Sequence, residues 1–249
     1  PALAPAAPGK ALQFLPLSAR TTEALDQMRL NLADPLDADP ALSLADAACT
    51  LQGGRREFGG RLAVGGTDRT ALIAALRAGQ GADCVSGSDA RRLPVAFLFP
   101  GVGEQYVNMA ADLYAQEPAF RADMDRCFAL LQAELGSDLR EVLFVQDWAA
   151  PDRAQALLRG SLPQDAHSSA LNRTVHAQPC TFVVEYCLAQ QLMRWGVIPE
   201  AVLGYSLGEF AAATVAGVVS IEDALRVVAG RARLIEALPP GAAVTLDAH

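Results

Sequence analysis

The residues best suited to chemistry lie in the stretch AVLGYSLGEFAAATVAG, residues 201–217. A short apolar run predicts a buried strand and an alanine-rich run predicts a helix, and Ser206 lies between them, flanked by Gly204 and Gly208. A G-x-S-x-G pattern at such a junction is typical of a nucleophile elbow, a strained turn that lifts a serine hydroxyl clear of the sheet. The pattern therefore predicts acyl chemistry on Ser206. The alternative is a helix cap, but a cap does not require flanking glycines.

A serine that is acylated needs donors for the oxyanion of the tetrahedral intermediate. The N–H of Leu207 is predicted at a helix N-terminus, where backbone N–H groups point outward. A second apolar run, Val95 to Phe99, predicts a buried parallel strand followed by the loop PGVGEQ, and the N–H of Gln105 in this loop is the expected second donor. A G-x-G loop by itself fits a plain tight turn equally well.

A cationic group follows the serine at a distance in sequence. Arg231 lies near the apolar stripe of a helix predicted from Glu222 to Leu238. If its side chain points inward, its planar guanidinium offers a two-pronged donor for a carboxylate. The alternative is a surface arginine whose aliphatic stem lies along apolar side chains.

The elements that must position these residues form two patterns. From Val95 onwards, strands alternate with helices, which predicts an α/β layer architecture, and a helix from Cys180 to Trp195 with Pro179 near its start is expected to pack on the sheet. The preceding residues predict a small α+β unit with an edge strand around Leu62 and Val64. The polar stretch AGQGADCVSGSDARR is predicted to be a linker.

Composition argues against several classes of protein. The chain has 28 acidic and 20 basic residues and a net charge of -8, which disfavours nucleic-acid binding. Its five cysteines form no C-x-x-C pair, so no metal site is expected. The most apolar stretch is too short to cross a bilayer, so we expect a cytoplasmic protein with no membrane contact. The opening PALAPAAPG is typical of an interdomain linker, which suggests that the chain is cut from a longer polypeptide.

Four segments together resemble a known family: FPGVGEQYVNMAADLY, TVHAQPCTFVVEYCLA, GYSLGEFAAATVAGVVSIEDALRVVAGRARLI and LPPGAA. They are similar to the malonyl-type acyltransferase domains of modular polyketide synthases and to related fatty-acid transacylases. Residues 11–90 resemble the linker domain that joins a ketosynthase to its acyltransferase. The resemblance implies an α/β-hydrolase-like acyltransferase core, C-terminally incomplete, preceded by a small α+β linker domain. The expected boundaries are a linker over 1–10, the linker domain over 11–90 and the acyltransferase part over 91–249.

The resemblance also implies a reaction and its partners. Ser206 matches the serine that takes an acyl group from an acyl-coenzyme A and passes it to the phosphopantetheine thiol of an acyl carrier protein. Gln105 and Leu207 match the oxyanion hole. No cofactor is expected to stay bound, malonyl-CoA is the implied substrate, and a ketosynthase is the implied neighbour in the same polypeptide.

Further matches concern the substrate. Arg231 matches the arginine that pairs with the free carboxylate of a malonyl-type extender unit, and Gln178 matches a glutamine that lines the site. The stretch TVHAQP and the leucine after the serine resemble malonyl-selective members. Tyr205 stands where most members have a histidine, and we expect it to change one wall of the pocket.

The general base is the main departure from the family pattern. The resemblance implies a histidine that lies beyond His249, and neither His167 nor His176 matches its position. Two alternatives therefore stay open from the sequence. One is a serine hydrolase or thioesterase built on the same elbow, and the other is a non-catalytic docking fragment of a synthase.

Overall fold

The computed structural model describes residues 12–81, 83–87, 93–144 and 166–239. The chain divides into two compact units, the first ending at Leu93 and the second beginning at Pro94. The linker expected at residues 1–10 lies outside the described residues, and so does most of the LPPGAA segment.

The described residues of the first unit form a three-stranded antiparallel sheet with three helices. Its strands follow the order β1-β2-β3. Its elements in chain order are β1 (Gln13–Ala19), α1 (Thr22–Ala38), α2 (Leu44–Gly53), β2 (Gly60–Gly66), α3 (Arg69–Ala78) and β3 (Cys84–Gly87). The core between sheet and helices includes the fully buried residues Leu15, Val64 and Leu76.

Two predictions for this unit are wrong. The strand containing Leu62 and Val64 is the central strand, not an edge, because Val64 pairs with Leu15 on one side and with Cys84 on the other. The stretch expected to be a linker contains β3. Its Val85 is exposed, and a short edge strand with little burial lacks the apolar alternation that reveals longer strands.

The second unit contains a pair of parallel strands, β4 and β5, and seven helices are described in it. Its elements in chain order are β4 (Ala96–Phe99), α4 (Ala111–Gln116), α5 (Pro118–Leu135), α6 (Arg140–Leu143), α7 (Ala166–Leu171), α8 (Thr174–Arg194), β5 (Ala201–Gly204), α9 (Gly208–Val215) and α10 (Ile221–Glu236). Parallel strands need a long crossover, which the intervening helices provide. The two strands pair with Phe99 opposite Gly204, so both strands end at the same edge of the sheet.

The two strands are buried on one face. Phe97 and Phe99 point into the core, whereas Leu98 and Leu203 are exposed. The apolar run from Val95 to Phe99 predicts burial on both sides, and only one side is covered within the described ranges.

Helix α8 lies at the centre of the second unit. It packs against α5, α9 and α10, and its residues from Ala177 to Val184 are buried all round. The helix begins at Thr174, earlier than the sequence indicates, so Pro179 lies inside it. Glu236 supports this early start, because its carboxylate accepts a hydrogen bond from the Val175 N–H at 3.4 Å.

A buried carboxyl group lies on α8. Neither side-chain oxygen of Glu185 has a hydrogen-bond partner among the described residues, and the same holds for the hydroxyl of Thr181, one turn earlier. Burial raises the pKa of Glu185 from 4.5 to about 8 because the charged form loses its hydration. The folded protein therefore keeps Glu185 protonated at pH values where the unfolded chain ionises it.

We expect Glu185→Gln to change how stability depends on pH. Between pH 4.5 and about 8 the folded state binds one more proton at Glu185 than the unfolded state, so the free energy of unfolding falls as pH rises through this window. Because the side chain as a whole is half-buried, we expect the decrease in the free energy of unfolding across this window to be only about 1–3 kcal/mol smaller in the variant than in the wild type. Urea titrations at several pH values measure it.

The exposed residue Glu141 supplies the control for this experiment. Glu141→Gln should keep the pH slope of the wild type. Equal slopes for the wild type and Glu185→Gln would show that Glu185 ionises normally in the folded protein.

Candidate active site

Ser206 lies on a sharp turn between the end of β5 and the start of α9. Its backbone φ is 55°, in the left-handed region, which costs a non-glycine residue about 1–2 kcal/mol. Flanking backbone hydrogen bonds hold the turn: the Tyr205 N–H donates to the Phe99 carbonyl at 2.9 Å, and the Gly208 N–H donates to the Tyr205 carbonyl at 3.0 Å. The Ser206 side chain is exposed. This is the strand-to-helix geometry that an elbow requires.

Close backbone packing explains both glycines of the motif. A Cβ on Gly204 would lie 2.2 Å from the Glu209 nitrogen, and one on Gly208 would lie 2.2 Å from the Phe99 carbonyl oxygen. Both separations are far shorter than any van der Waals contact. The glycines therefore let the helix start against the two strand ends.

We expect Gly208→Ala to destabilise the second unit by about 3 kcal/mol or more, because the new methyl group meets rigid backbone at Phe99. Gly230→Ala is the matched control, since a Cβ at this position meets nothing within 4 Å. Because alanine replaces a glycine inside a helix, we expect this variant to stabilise the folded unit by about 0.5–1 kcal/mol. Trp195 belongs to the second unit and the sequence has no tryptophan before Pro94, so urea unfolding followed by tryptophan fluorescence reports on this unit. Equal unfolding midpoints for the two variants would contradict the steric explanation.

The loop after β4 passes directly beside the serine. A Cβ on Gly101 would lie 3.3 Å from the Ser206 Cβ, so the loop backbone is in close contact with the elbow. Leu207 is fully buried and has helical backbone angles as the N-cap of α9. The two predicted sources of oxyanion donors, the loop containing Gln105 and the N-terminus of α9, thus meet at one edge of the sheet.

The side chain of Gln105 is held at both ends. Its Oε1 accepts a hydrogen bond from the Gly103 N–H at 2.8 Å, and its Nε2 donates to Asn172 Oδ1 at 2.9 Å. The sequence does not point to Asn172, because it lies 67 residues away at the end of a polar stretch without periodicity. Much of that stretch lies outside the described residues.

Arg231 and Gln178 are in direct contact. Arg231 is half-buried on α10, and its Nη1 donates a hydrogen bond to the Oε1 of Gln178, which is only 3% exposed. Since a guanidinium has five N–H donors, this bond leaves capacity for a carboxylate ligand. The side chain is thus anchored to a buried amide, unlike the surface arginine considered as the alternative.

A second contact fixes α8 and α10 at the same end. Arg173, just before α8, pairs with Glu236 at the end of α10 at 2.9 Å. This carboxylate also accepts from the Val175 N–H, and its pKa lies below its usual range, chiefly because of the Arg173 hydrogen bond. The two helices also pack against α9, so the helix that carries Arg231 is attached to the elbow helix through the core.

Tyr205 is 77% exposed, so its ring is not enclosed by other described residues.

The nearest histidine in sequence to Gln178 is His176, and its Nδ1 contacts the Ala170 carbonyl at 2.8 Å. The side chain of His167 and the whole of His249 lie outside the part of the chain that the structure describes. The nearby Cys180 is not a competing nucleophile, because burial raises the pKa of its thiol to about 12.

A cavity of about 520 Å³ lies in the first unit, and all of its lining residues belong to that unit. Its lining includes Phe14, Met28 and Leu51, with Arg56 and Arg61 among the polar groups. Its two serines, Ser18 and Ser86, lie within β1 and β3 and not at a strand-to-helix turn, so we assign the active site to the elbow.

Neither a metal centre nor a membrane span is found in the part of the chain that the structure describes. No group of three or more histidine, cysteine or acidic side chains there could hold a metal ion. No described helix is long and apolar enough to cross a membrane.

The fold and the elbow define an α/β protein with a serine at a strand-to-helix turn, and comparisons with known proteins identify the family. Residues 96–248 match the family described as acyl transferase domain, and residues 13–76 match the CurL-like C-terminal region of polyketide synthases. The chain belongs to the acyltransferase domains of modular polyketide synthases.

Individual relatives agree with this assignment. Polyketide synthase GfsB of Streptomyces halstedii is 37% identical over 230 residues, covering 91% of this chain and 4% of that protein. The mycoketide-CoA synthase of Mycobacterium tuberculosis is 36% identical over 232 residues, covering 92% of this chain and 5% of that protein. The chain therefore spans only a small part of these curated relatives.

Solved structures show the same fold. The acyltransferase domain of ZmaA superposes with a TM-score of 0.83 at 38% identity, covering 94% of this chain and 51% of that one. The acyltransferase domain of SpnD, solved in complex with 2-(pent-4-yn-1-yl)malonyl, gives a TM-score of 0.70 at 38% identity, covering 91% and 50%. These matches confirm the predicted α/β acyltransferase fold.

Proposed function

We propose that this acyltransferase loads a malonyl-type extender unit from coenzyme A onto Ser206 and passes it to the phosphopantetheine thiol of an acyl carrier protein. The observation that carries the proposal is the contact between Arg231 and Gln178, which holds a guanidinium partly buried in the same unit as the elbow. A buried guanidinium without an anionic partner is costly, so it favours a substrate with a free carboxylate over a simple acyl group. The malonyl derivative in the SpnD complex is a ligand of this chemical kind.

In the first half-reaction, the Ser206 hydroxyl oxygen attacks the thioester carbonyl carbon. The new C–O bond forms and the C–S bond breaks, and a general base moves the serine proton to the departing sulfur, so that coenzyme A leaves as the thiol. The N–H groups of Leu207 and Gln105 stabilise the intermediate oxyanion. We assign the base to none of the described residues.

In the second half-reaction, the phosphopantetheine sulfur attacks the carbonyl carbon of the seryl ester. The C–S bond forms, the C–O bond breaks, and the thiol proton returns to the Ser206 oxygen. Atoms balance without any further reactant, and water is a competitor that would hydrolyse the ester. Arg231 contributes in both steps by holding the carboxylate, which fixes the acyl group relative to Ser206.

The test is mass spectrometry of the full-length polypeptide after brief incubation with malonyl-CoA. We expect one malonyl adduct on the peptide that contains Ser206, with stoichiometric release of coenzyme A, and transfer of the adduct when carrier protein bearing phosphopantetheine is added. Rapid hydrolysis of malonyl-CoA with no label on the carrier protein would favour the hydrolase alternative. An unmodified peptide with no turnover would favour the non-catalytic alternative.

A further inference from the structure

The amide side chain of Gln105 has a defined orientation. A backbone N–H is only a donor, so the atom of Gln105 that contacts the Gly103 N–H at 2.8 Å must be the carbonyl oxygen. The other end is therefore the NH₂ group, and it needs an acceptor. Asn172 supplies one, since its Oδ1 lies 2.9 Å from Gln105 Nε2.

These two hydrogen bonds tie the oxyanion loop to a distant part of the unit. The loop contains Gly103, whose φ of 132° is a conformation that other residues rarely adopt. Because ordinary backbone preferences do not fix the path of this loop, side-chain contacts are needed to hold it. Asn172 is anchored in turn, because its own N–H donates to the Ser168 carbonyl at 3.0 Å. It lies two residues before α8, the helix that carries Gln178.

We propose that Asn172 is a positioning residue that sets the oxyanion donor of Gln105 through the Gln105 side chain. Asn172 does not touch the reacting atoms. It fixes the amide of Gln105, which closes back on the Gly103 N–H and so holds the backbone N–H of Gln105 in the loop. The proposal rests on the proposed function, because it assigns that N–H to the seryl oxyanion.

The placement also connects the two ends of the substrate site. Asn172 is followed by Arg173, which pairs with Glu236, and by α8 with Gln178, the partner of Arg231. The segment from Asn172 to Gln178 thus contacts the oxyanion loop at one end and the arginine for the carboxylate at the other. Displacing Asn172 moves the oxyanion donor, whereas the Gln178–Arg231 contact stays in place.

The test is a double-mutant cycle on the full-length polypeptide, with the single-turnover rate constant for malonyl transfer to Ser206 as the readout. We expect Asn172→Ala to lower this rate constant about tenfold with the KM for malonyl-CoA unchanged, since a donor is displaced but not removed. In a Gln105→Ala background, which keeps the backbone N–H, Asn172→Ala should have no further effect. Asn172→Asp retains an acceptor oxygen and should stay within about threefold of the wild type, because its exposed charge is screened.

The matched control is Asn31→Ala. Asn31 accepts a hydrogen bond of the same type from Gln27 Nε2 at 2.8 Å on α1 in the first unit, and its loss should leave acylation unchanged. Wild-type rates in Asn172→Ala, an equal loss in the alanine and aspartate variants, or a full additional loss in the Gln105→Ala background would each overturn the positioning role.

A second readout separates this proposal from the proposed function. A fluorophosphonate probe reacts with an activated serine and places an oxygen in the oxyanion hole without using malonyl-CoA. If the wild type takes the probe but not malonyl-CoA, the proposed substrate is wrong, and slower labelling of Asn172→Ala still supports the positioning role. If the wild type takes neither, both proposals fail.

Discussion

Ser206→Ala is expected to abolish the covalent malonyl adduct and to lower the rate of transfer to the carrier protein by at least about 10⁴-fold. Without the hydroxyl oxygen no seryl ester forms, and the oxyanion donors alone retain only a small part of the rate enhancement. Intact-mass measurement after incubation with malonyl-CoA and a carrier-protein transfer assay detect the two effects. Transfer by Ser206→Ala at the wild-type rate would rule out the acyl-serine route.

Ser206→Gly distinguishes lost chemistry from lost folding. Ser206 has φ of 55°, which glycine adopts without the steric cost that serine and alanine bear. We expect the glycine variant to be inactive but at least as stable as Ser206→Ala in urea unfolding. A glycine variant that unfolds more easily than the alanine variant would show that the turn is not strained by its Cβ.

Arg231→Ala is expected to lower kcat/KM for malonyl-CoA by about 10²–10³-fold and to leave acetyl-CoA, which has no free carboxylate, nearly unaffected. The loss reflects a charge-assisted hydrogen-bonded pair between guanidinium and carboxylate in a partly buried site. Arg231→Lys keeps the charge without the planar fork, so we expect an intermediate loss for malonyl-CoA. Kinetics with both substrates measure the change in preference.

Arg233→Ala is the matched control for this experiment. Arg233 lies on the same helix but is exposed, so its loss should leave the preference for malonyl-CoA unchanged. If Arg231→Ala lowers kcat/KM equally for malonyl-CoA and acetyl-CoA, the arginine supports the fold and does not select the carboxylate.

The elbow is formed mostly by residues that are close together in the chain, so its geometry could be predicted from the sequence. The apolar strand, the glycines on either side of Ser206 and the helix that follows are neighbours in the chain, and their steric requirements are visible in their order. The periodicity of α10 likewise predicts a one-sided helix, and Ser220 caps its N-terminus through a 3.1 Å hydrogen bond from the Asp223 N–H.

The sheet of the first unit was only partly predictable. The apolar alternation of β2 identifies a strand but does not say how many neighbours it has. Its central place depends on β3, whose exposed residues give no pattern, and on backbone pairing between residues far apart in the chain. Pairing of that kind follows from tertiary packing, not from local propensity.

The sequence alone predicted a serine elbow at Ser206, a glycine-containing loop after the first strand of the second unit and acyl chemistry, because the elbow and the loop each depend on short-range steric and periodic constraints. Only the tertiary structure joined Gln105 to Asn172, and Arg231 to Gln178, across 67 and 53 residues. It also left the carboxyl group of Glu185 buried without a partner among the described residues. These features depend on which helix faces come together when the core packs, and residue order does not encode such long-range side-chain contacts in any local pattern.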